Sequence, residues 1–268
     1  MPDIFYLISK WWKQVILFVA ICTVLVLAIL LLQTKKYLGE ATAIPANTAL
    51  ADKARVFNNN IEALYSSVGT PDELDMILGT AQLDTIYLFQ ADSFALANYY
   101  NISGTNARVK AAQRLHHHTS VTKSGYGELK VKVWDKDPHM AAHLANAIMQ
   151  KLQSMHQAVI NENNISTLAS LRLSQQRLMT SFDSSSVQPA WKEALRIKRL
   201  EQYEELINDY SLMADSRPLA LLTIENARAA IKPDKPRILA ITLATFALSF
   251  IFALLAILFI EKTRKPGA

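Results

Sequence analysis

The sequence predicts an α+β membrane protein, in which two transmembrane helices flank a mixed α/β base domain that carries a long projecting helical hairpin. Three observations predict it. Residues 15–32 (VILFVAICTVLVLAILLL) and 238–260 (ILAITLATFALSFIFALLAILFI) contain no charge, Gly or Pro, and roughly 20 such residues cross a bilayer as a helix. Residues 33–237 have an ordinary soluble composition and are numerous enough for one domain with its own core. Within them an apolar helical pattern runs from Met140 to Phe182 without a Gly or Pro.

The predicted organisation follows the chain. Residues 1–14 form an amino-terminal tail and 15–33 the first span. Residues 34–136 and 215–236 form the membrane-proximal base, and 137–214 a long helix with its return helix. Residues 237–260 form the second span and 261–268 a carboxy-terminal tail. The first span exceeds a signal-peptide core and runs into Gln33-Thr-Lys-Lys rather than a small-residue cleavage site, so it is expected to stay. Phe5, Tyr6, Trp11 and Trp12 precede it as an interfacial aromatic belt.

An even number of spans puts both termini on one side. Lys10, Lys13, Lys262, Arg264 and Lys265 flank the spans on that side, and Lys35, Lys36, Lys232, Lys235 and Arg237 flank them on the other. Long loops translocate largely regardless of charge, and the reading adopted is cytoplasmic termini. The net charge is +5. Much of it sits beside the spans, where it suits anionic lipid headgroups. No basic block is interleaved with aromatics, so nucleic acid is not an expected partner. The only cysteine, Cys22, lies mid-span, and no disulfide framework is expected.

Tyr37, Ala41 and Ala43 alternate with Glu40 and Thr42, the pattern of a strand that Pro45 closes. Residues 49–67 read as a helix with Val56, Phe57, Ile61, Leu64 and Tyr65 on one face. Thr70 and Pro71 start another, carrying Leu74, Ile77 and Leu78 as far as Gly79. Residues 84–99 are apolar and aromatic, and their pattern does not choose a state. Residues 106–115 read as a short helix. Leu129-Lys-Val-Lys-Val-Trp134 alternates strictly, as a strand with one wet face does.

Asp137 and Pro138 then open the long helix as cap and first residue. Met140, Ala141, Leu144, Ala145, Ile148, Leu152, Met155 and Val159 recur at helical spacing, and Ile165, Leu168, Leu171 and Leu178 resume it after Asn161-Glu-Asn-Asn. About 45 residues at 1.5 Å each give 65–70 Å. Asp183-Ser-Ser-Ser is a turn. Pro189 opens the return helix, with Trp191, Leu195, Tyr203, Leu206, Ile207 and Tyr210 on its apolar face, until Arg217-Pro218 breaks it. Residues 219–224 read as a strand.

No Walker motif, GxSxG, HExxH or paired CxxC occurs, and the seven glycines are scattered. Adjacent His116, His117 and His118 point to different faces in an extended chain, so a solvated or interface loop is the expected role, not a metal site. His139 and His143 share a helix face but lack a third ligand, so His139, His143 and His156 are read as helix surface. Asp135/Asp137 and Glu204/Glu205 are not read as acid–base pairs. The expectation is no catalytic, metal or cofactor site. Small residues at Ala240 and Ala244, and at Ser249 and Ala253, have the four-residue spacing of close helix packing in lipid. Pro233 and Pro236 stiffen the approach to the second span in extended conformation.

The order of span, Tyr-x-x-x-Ala-x-Ala strand, mixed domain, long helix, return helix, Lys-Pro-x-Lys-Pro and span resembles the polysaccharide co-polymerases, the Wzz-type chain-length determinants of bacterial inner membranes. Residues 131–146 (VKVWDKDPHMAAHLAN) are similar to the family's strand followed by Asp-Pro-x-x-Ala-Ala-x-x-Ala-Asn, which singles out Asp137, Pro138, Ala141, Ala142 and Asn146. Residues 227–236, with Pro233 and Pro236, carry the second match. The resemblance implies a non-catalytic regulator of O-antigen, common antigen or similar surface glycan, with a periplasmic central domain and no cofactor. It implies a homo-oligomeric ring, commonly octameric, partnered by a membrane glycan polymerase and the growing lipid-linked glycan. The short tail at 261–268 leaves no room for the kinase domain fused in some relatives, and a kinase on a separate chain stays open. A membrane-anchored periplasmic sensor or adaptor is the alternative, though it would need a larger output domain than either tail offers.

Overall fold

The two apolar runs form helices, and residues 37–45 and 129–135 form strands, in the computed structural model, which describes residues 4–46, 71–180 and 190–264. The elements are α1 (Ile4–Leu32), β1 (Tyr37–Pro45), α2 (Pro71–Thr80), α3 (Asp84–Ser93), α4 (Leu96–Tyr99), α5 (Ala107–His117), β2 (Thr119–Lys123), β3 (Leu129–Asp135), α6 (Pro138–Thr180), α7 (Ala190–Ser216), β4 (Leu221–Glu225) and α8 (Ile238–Arg264). The helix expected at 49–67, the Thr70 cap, the turn at 183–186 and Pro189 lie outside the described residues. The chain divides into two units, one holding α1, α8 and the segments beside them, the other holding most of the sheet and the remaining helices.

In the first unit α1 and α8 pack together. Val15 and Val19 of α1 and Ala253 and Ile257 of α8 form one buried cluster, with Trp11 against it. Phe18 and Phe252 stack with their ring centroids 6.1 Å apart. Beyond the helices the Lys36 N–H donates to the Lys235 carbonyl at 2.9 Å, and the Asp234 N–H donates to the Lys36 carbonyl at 2.9 Å. A single antiparallel bridge therefore ties the two juxtamembrane segments.

In the second unit a four-stranded sheet has the order β2-β3-β1-β4. β2 and β3 form an antiparallel hairpin with Thr119 opposite Val133 and Lys123 opposite Leu129. Gly127 closes its turn at φ 78°, a conformation that costs glycine little. β4 pairs antiparallel with β1, with a register shift between Thr42 and Ala43. Leu129, Val131 and Val133 alternate inward as predicted and are fully buried. They join Ala41, Ala43, Leu74, Ile77, Ile86, Leu96, Leu115, Leu144, Ile148 and Leu152 in one core.

Several details of the elements differ from the sequence reading. Residues 84–99 resolve into α3 and α4, because Ile86, Tyr87, Gln90 and Ala91 on one flank of α3 are buried. β2, which has no strong pattern of its own, is fixed by its partner β3: only Val121 in it is buried. The three histidines are not a loop: His116 and His117 end α5, and His118 is its C-cap. α2 runs through Gly79 to Thr80.

α6 spans 43 residues, about 65 Å at 1.5 Å per residue. Its first four turns are core: Ala141, Ala142, Leu144, Ala145, Ile148, Met149 and Leu152 are all buried. The Gln157 amide donates to the Arg217 carbonyl just past the end of α7, at 2.7 Å, so α7 returns to the middle of α6. Beyond that tie the expected apolar stripe is covered only in part: Leu168, Leu171 and Leu178 are half-buried, while other large apolar side chains stand exposed. Val159 is 65% exposed, Ile165 47% and Trp191 65%. A two-helix hairpin has too few neighbours to bury both stripes.

Candidate functional site

The residues singled out in residues 131–146 meet β1 and the segment after β4. Asp135 closes β3, and its carboxylate is buried and accepts the Asp137 N–H at 3.1 Å. That local turn gives the buried acid a structural partner. Pro138 is the first residue of α6, where its missing N–H costs no helical hydrogen bond. One turn later Ala141 and Ala142 are both buried.

The need for small side chains there comes from the strand. A Cβ added at Gly39 would lie 2.7 Å from the Ala142 nitrogen and closer still to the Ala141 carbonyl oxygen. β1 therefore crosses the first turns of α6 in backbone contact, and a glycine on one side and alanines on the other allow it. Ala41 and Ala43, two and four residues along the same strand, are fully buried. Gly39 is a residue that the sequence reading passed over; its signal is its place two residues before the Ala-x-Ala pair.

Asn146 holds the other end of the junction. Its Nδ2 donates to the Ala227 carbonyl at 3.1 Å, and its Oδ1 accepts the Ala227 N–H at 2.7 Å. One carboxamide thus pairs with both the N–H and the C=O of a single residue. This fixes the chain just after β4 against α6 across 81 residues of sequence. Alanine in place of Asn146 leaves that backbone pair without partners, a loss of about 1–3 kcal/mol. In the other unit, Pro233 is exposed and Pro236 half-buried, on either side of the bridge to Lys36.

The two small-residue pairs of α8 part company. Ser249 and Ala253 are buried, on the seam against α1. Ala240 and Ala244 are exposed, and at about 100° per residue they lie roughly half a turn away from the seam.

Several titratable groups are built into the second unit. The Tyr87 hydroxyl donates to the Ala81 carbonyl at 2.9 Å, and its ring stacks on His116 at 4.1 Å. Burial, helped by Asp84, pushes the Tyr87 pKa up to about 12. His156, read from the sequence as helix surface, is not on the surface. It is buried, with Nε2 3.0 Å from the Thr80 hydroxyl, and desolvation lowers its pKa. His139 and His143 are exposed. Arg108 clamps Asp92 through Nε at 2.8 Å and Nη2 at 2.7 Å, which holds the Asp92 carboxyl below its usual range. Among the described residues no three His, Cys, Asp or Glu side chains are placed to share a metal ion. The junction positions segments of chain; the groups in it are structural partners of one another.

No protein-family model matches this chain, and no curated protein matches it. Among solved structures it is similar to a full-length bacterial polysaccharide co-polymerase, at 13% identity and a TM-score of 0.43 over 100% of this chain and 99% of that one. It is also similar to a fragment of WzzB, a polysaccharide co-polymerase from Salmonella Typhimurium, at 16% identity and a TM-score of 0.35 over 75% of this chain and 100% of that one. A mutant of the Shigella flexneri lipopolysaccharide O-antigen chain-length regulator WzzBSF gives 12% identity and a TM-score of 0.26 over 75% and 100%.

Proposed function

We propose that this chain is a non-catalytic, oligomeric regulator of polysaccharide chain length in a bacterial inner membrane. Both termini are cytoplasmic in this reading, and the domain between the spans is periplasmic. The chain acts as a scaffold on a separate membrane polymerase that extends a lipid-linked glycan, an O-antigen, common antigen or similar surface polymer.

The observation that carries the proposal is the uncovered apolar surface of the α6–α7 hairpin. Val159, Ile165, Leu173 and Met179 on α6, and Trp191, Leu195, Ile197 and Leu206 on α7, are all exposed large hydrophobics. Apolar surface on that scale marks an interaction site, and helices bearing such stripes associate into bundles. A ring of copies covers it without any new element. The motif residues support the same reading, since Gly39, Ala141, Ala142 and Asn146 lock the strand and the long helix of each copy into one rigid piece.

The test is genetic and biochemical. In a strain lacking this chain, surface glycan resolved by length should lose its modal distribution, and the wild-type chain should restore it. A length distribution unchanged by deletion would contradict the proposal.

A further inference from the structure

Between α3 and α6 lies a groove of about 400 Å³. Its floor is Gln90, which is buried and whose Nε2 donates to the Ala147 carbonyl of α6 at 2.9 Å. That bond fixes the spacing of the two helices. Phe89 stands at the rim 46% exposed, and Phe94, Gln150 and Ser154 complete the walls. The Lys151 ammonium lies 3.9 Å from the centroid of the Phe89 ring.

Two features distinguish this groove from ordinary surface. The first is its mixture of aromatic faces with amide and hydroxyl groups. Such walls suit a sugar, whose C–H faces lie on aromatic rings and whose hydroxyls need hydrogen-bond partners. The second is charge. Lys151 is half-buried, and among the described residues no carboxylate pairs with it. The acid of α3 nearest Phe89 in sequence, Asp92, is taken by Arg108. A half-buried cation held over a ring, with no carboxylate beside it among the described residues, is placed to accept a ligand's carboxylate as its partner.

We infer that this groove binds a saccharide bearing a carboxylate, a uronic-acid type of residue, with Lys151 as the partner of the carboxylate and Phe89 as the ring that holds the ammonium in place. The inference rests on the reading that the chain acts on a surface glycan and names the chemistry that glycan would present. A ligand carboxylate would sit beside Lys151 while the ammonium stays over the ring, and Gln150 and Ser154 would meet ring hydroxyls.

The experiment uses the full chain in lipid nanodiscs. Trigalacturonic acid and its neutral counterpart galactotriose are titrated, with binding followed by ligand-observed NMR. The expected result is binding of the acidic probe at least about tenfold tighter than the neutral one. Lys151→Gln should abolish that preference, Lys151→Arg should retain it, and both should unfold at the wild-type temperature. Lys110→Gln, at an exposed lysine of α5, should leave binding unchanged. No binding of either probe would overturn the inference, and so would equal binding of both or an equal loss in Lys110→Gln. Glycan length in the deletion strain is a separate readout. A lost modal distribution together with no saccharide binding would overturn the groove while leaving the regulator reading intact.

Discussion

At Gly39 one hydrogen atom in place of a methyl group decides how close a strand comes to a helix. A Cβ there meets the backbone of Ala141 and Ala142, which unlike a flexible side-chain end cannot swing aside. Gly39→Ala should therefore destabilise the second unit by about 1–3 kcal/mol, the usual range for overpacking. Asn146→Ala should cost a similar amount through the orphaned Ala227 peptide. Thermal unfolding measures both, and wild-type stability in either variant would contradict the contact assigned to it. His156 gives a prediction in pH. Its folded pKa is lowered by burial, so between about pH 6.5 and that lowered value the unfolded chain takes a proton that the folded chain refuses. Stability should fall as pH drops below about 6.5, and His156→Gln should flatten that slope. A mutant with the wild-type pH profile would remove His156 as the cause. The sequence showed Asn146 as a motif position, but its partner Ala227 lies 81 residues away and leaves no local signal. His156 was grouped with His139 and His143 as helix surface, whereas it shares a face with Leu152, four residues earlier.

At the scale of elements, periodicity served where a segment has one clear face. β3 alternates and is buried on alternate residues. α6 carries its apolar repeat through its first turns into the core. Leu144→Glu or Ile148→Glu should unfold the second unit or cost more than about 3 kcal/mol, since each puts an unpaired charge among fully buried side chains. Wild-type melting in both would contradict the burial of that face. Periodicity failed at α3, where the polar Gln90 lies on the buried face beside Ile86, Tyr87 and Ala91. It failed at β2, where the partner strand supplies the order. On α8 the spacing of small residues identified four positions but not their faces. Ser249 and Ala253 serve the seam with α1, while Ala240 and Ala244 are free of it. Ala240→Leu and Ala244→Leu should therefore leave the α1–α8 pair intact but alter assembly in the membrane, and with it the distribution of glycan lengths. Unchanged assembly and unchanged glycan length in both variants would show that the second small-residue face has no partner.

For the whole molecule, the account depends on one imbalance. The core of the second unit closes over the first turns of α6 and stops, yet the helix continues for several turns more and α7 returns beside it. Large apolar side chains on both helices stand in water. Among the described residues nothing covers them, and a second copy offers an identical stripe. This part of the architecture was legible in advance, because helix length and stripe come directly from residues 138–180. What covers the stripe was not, because a sequence records the pattern of a face and not its partner.

The most direct test is the mass and shape of the full chain in lipid nanodiscs, obtained by single-particle imaging and light scattering. The account predicts a closed multi-subunit assembly, with the α6–α7 hairpins of neighbouring copies in contact through Val159, Ile165 and Trp191. A stable monomer, or an oligomer in which those side chains remain in water, would contradict it.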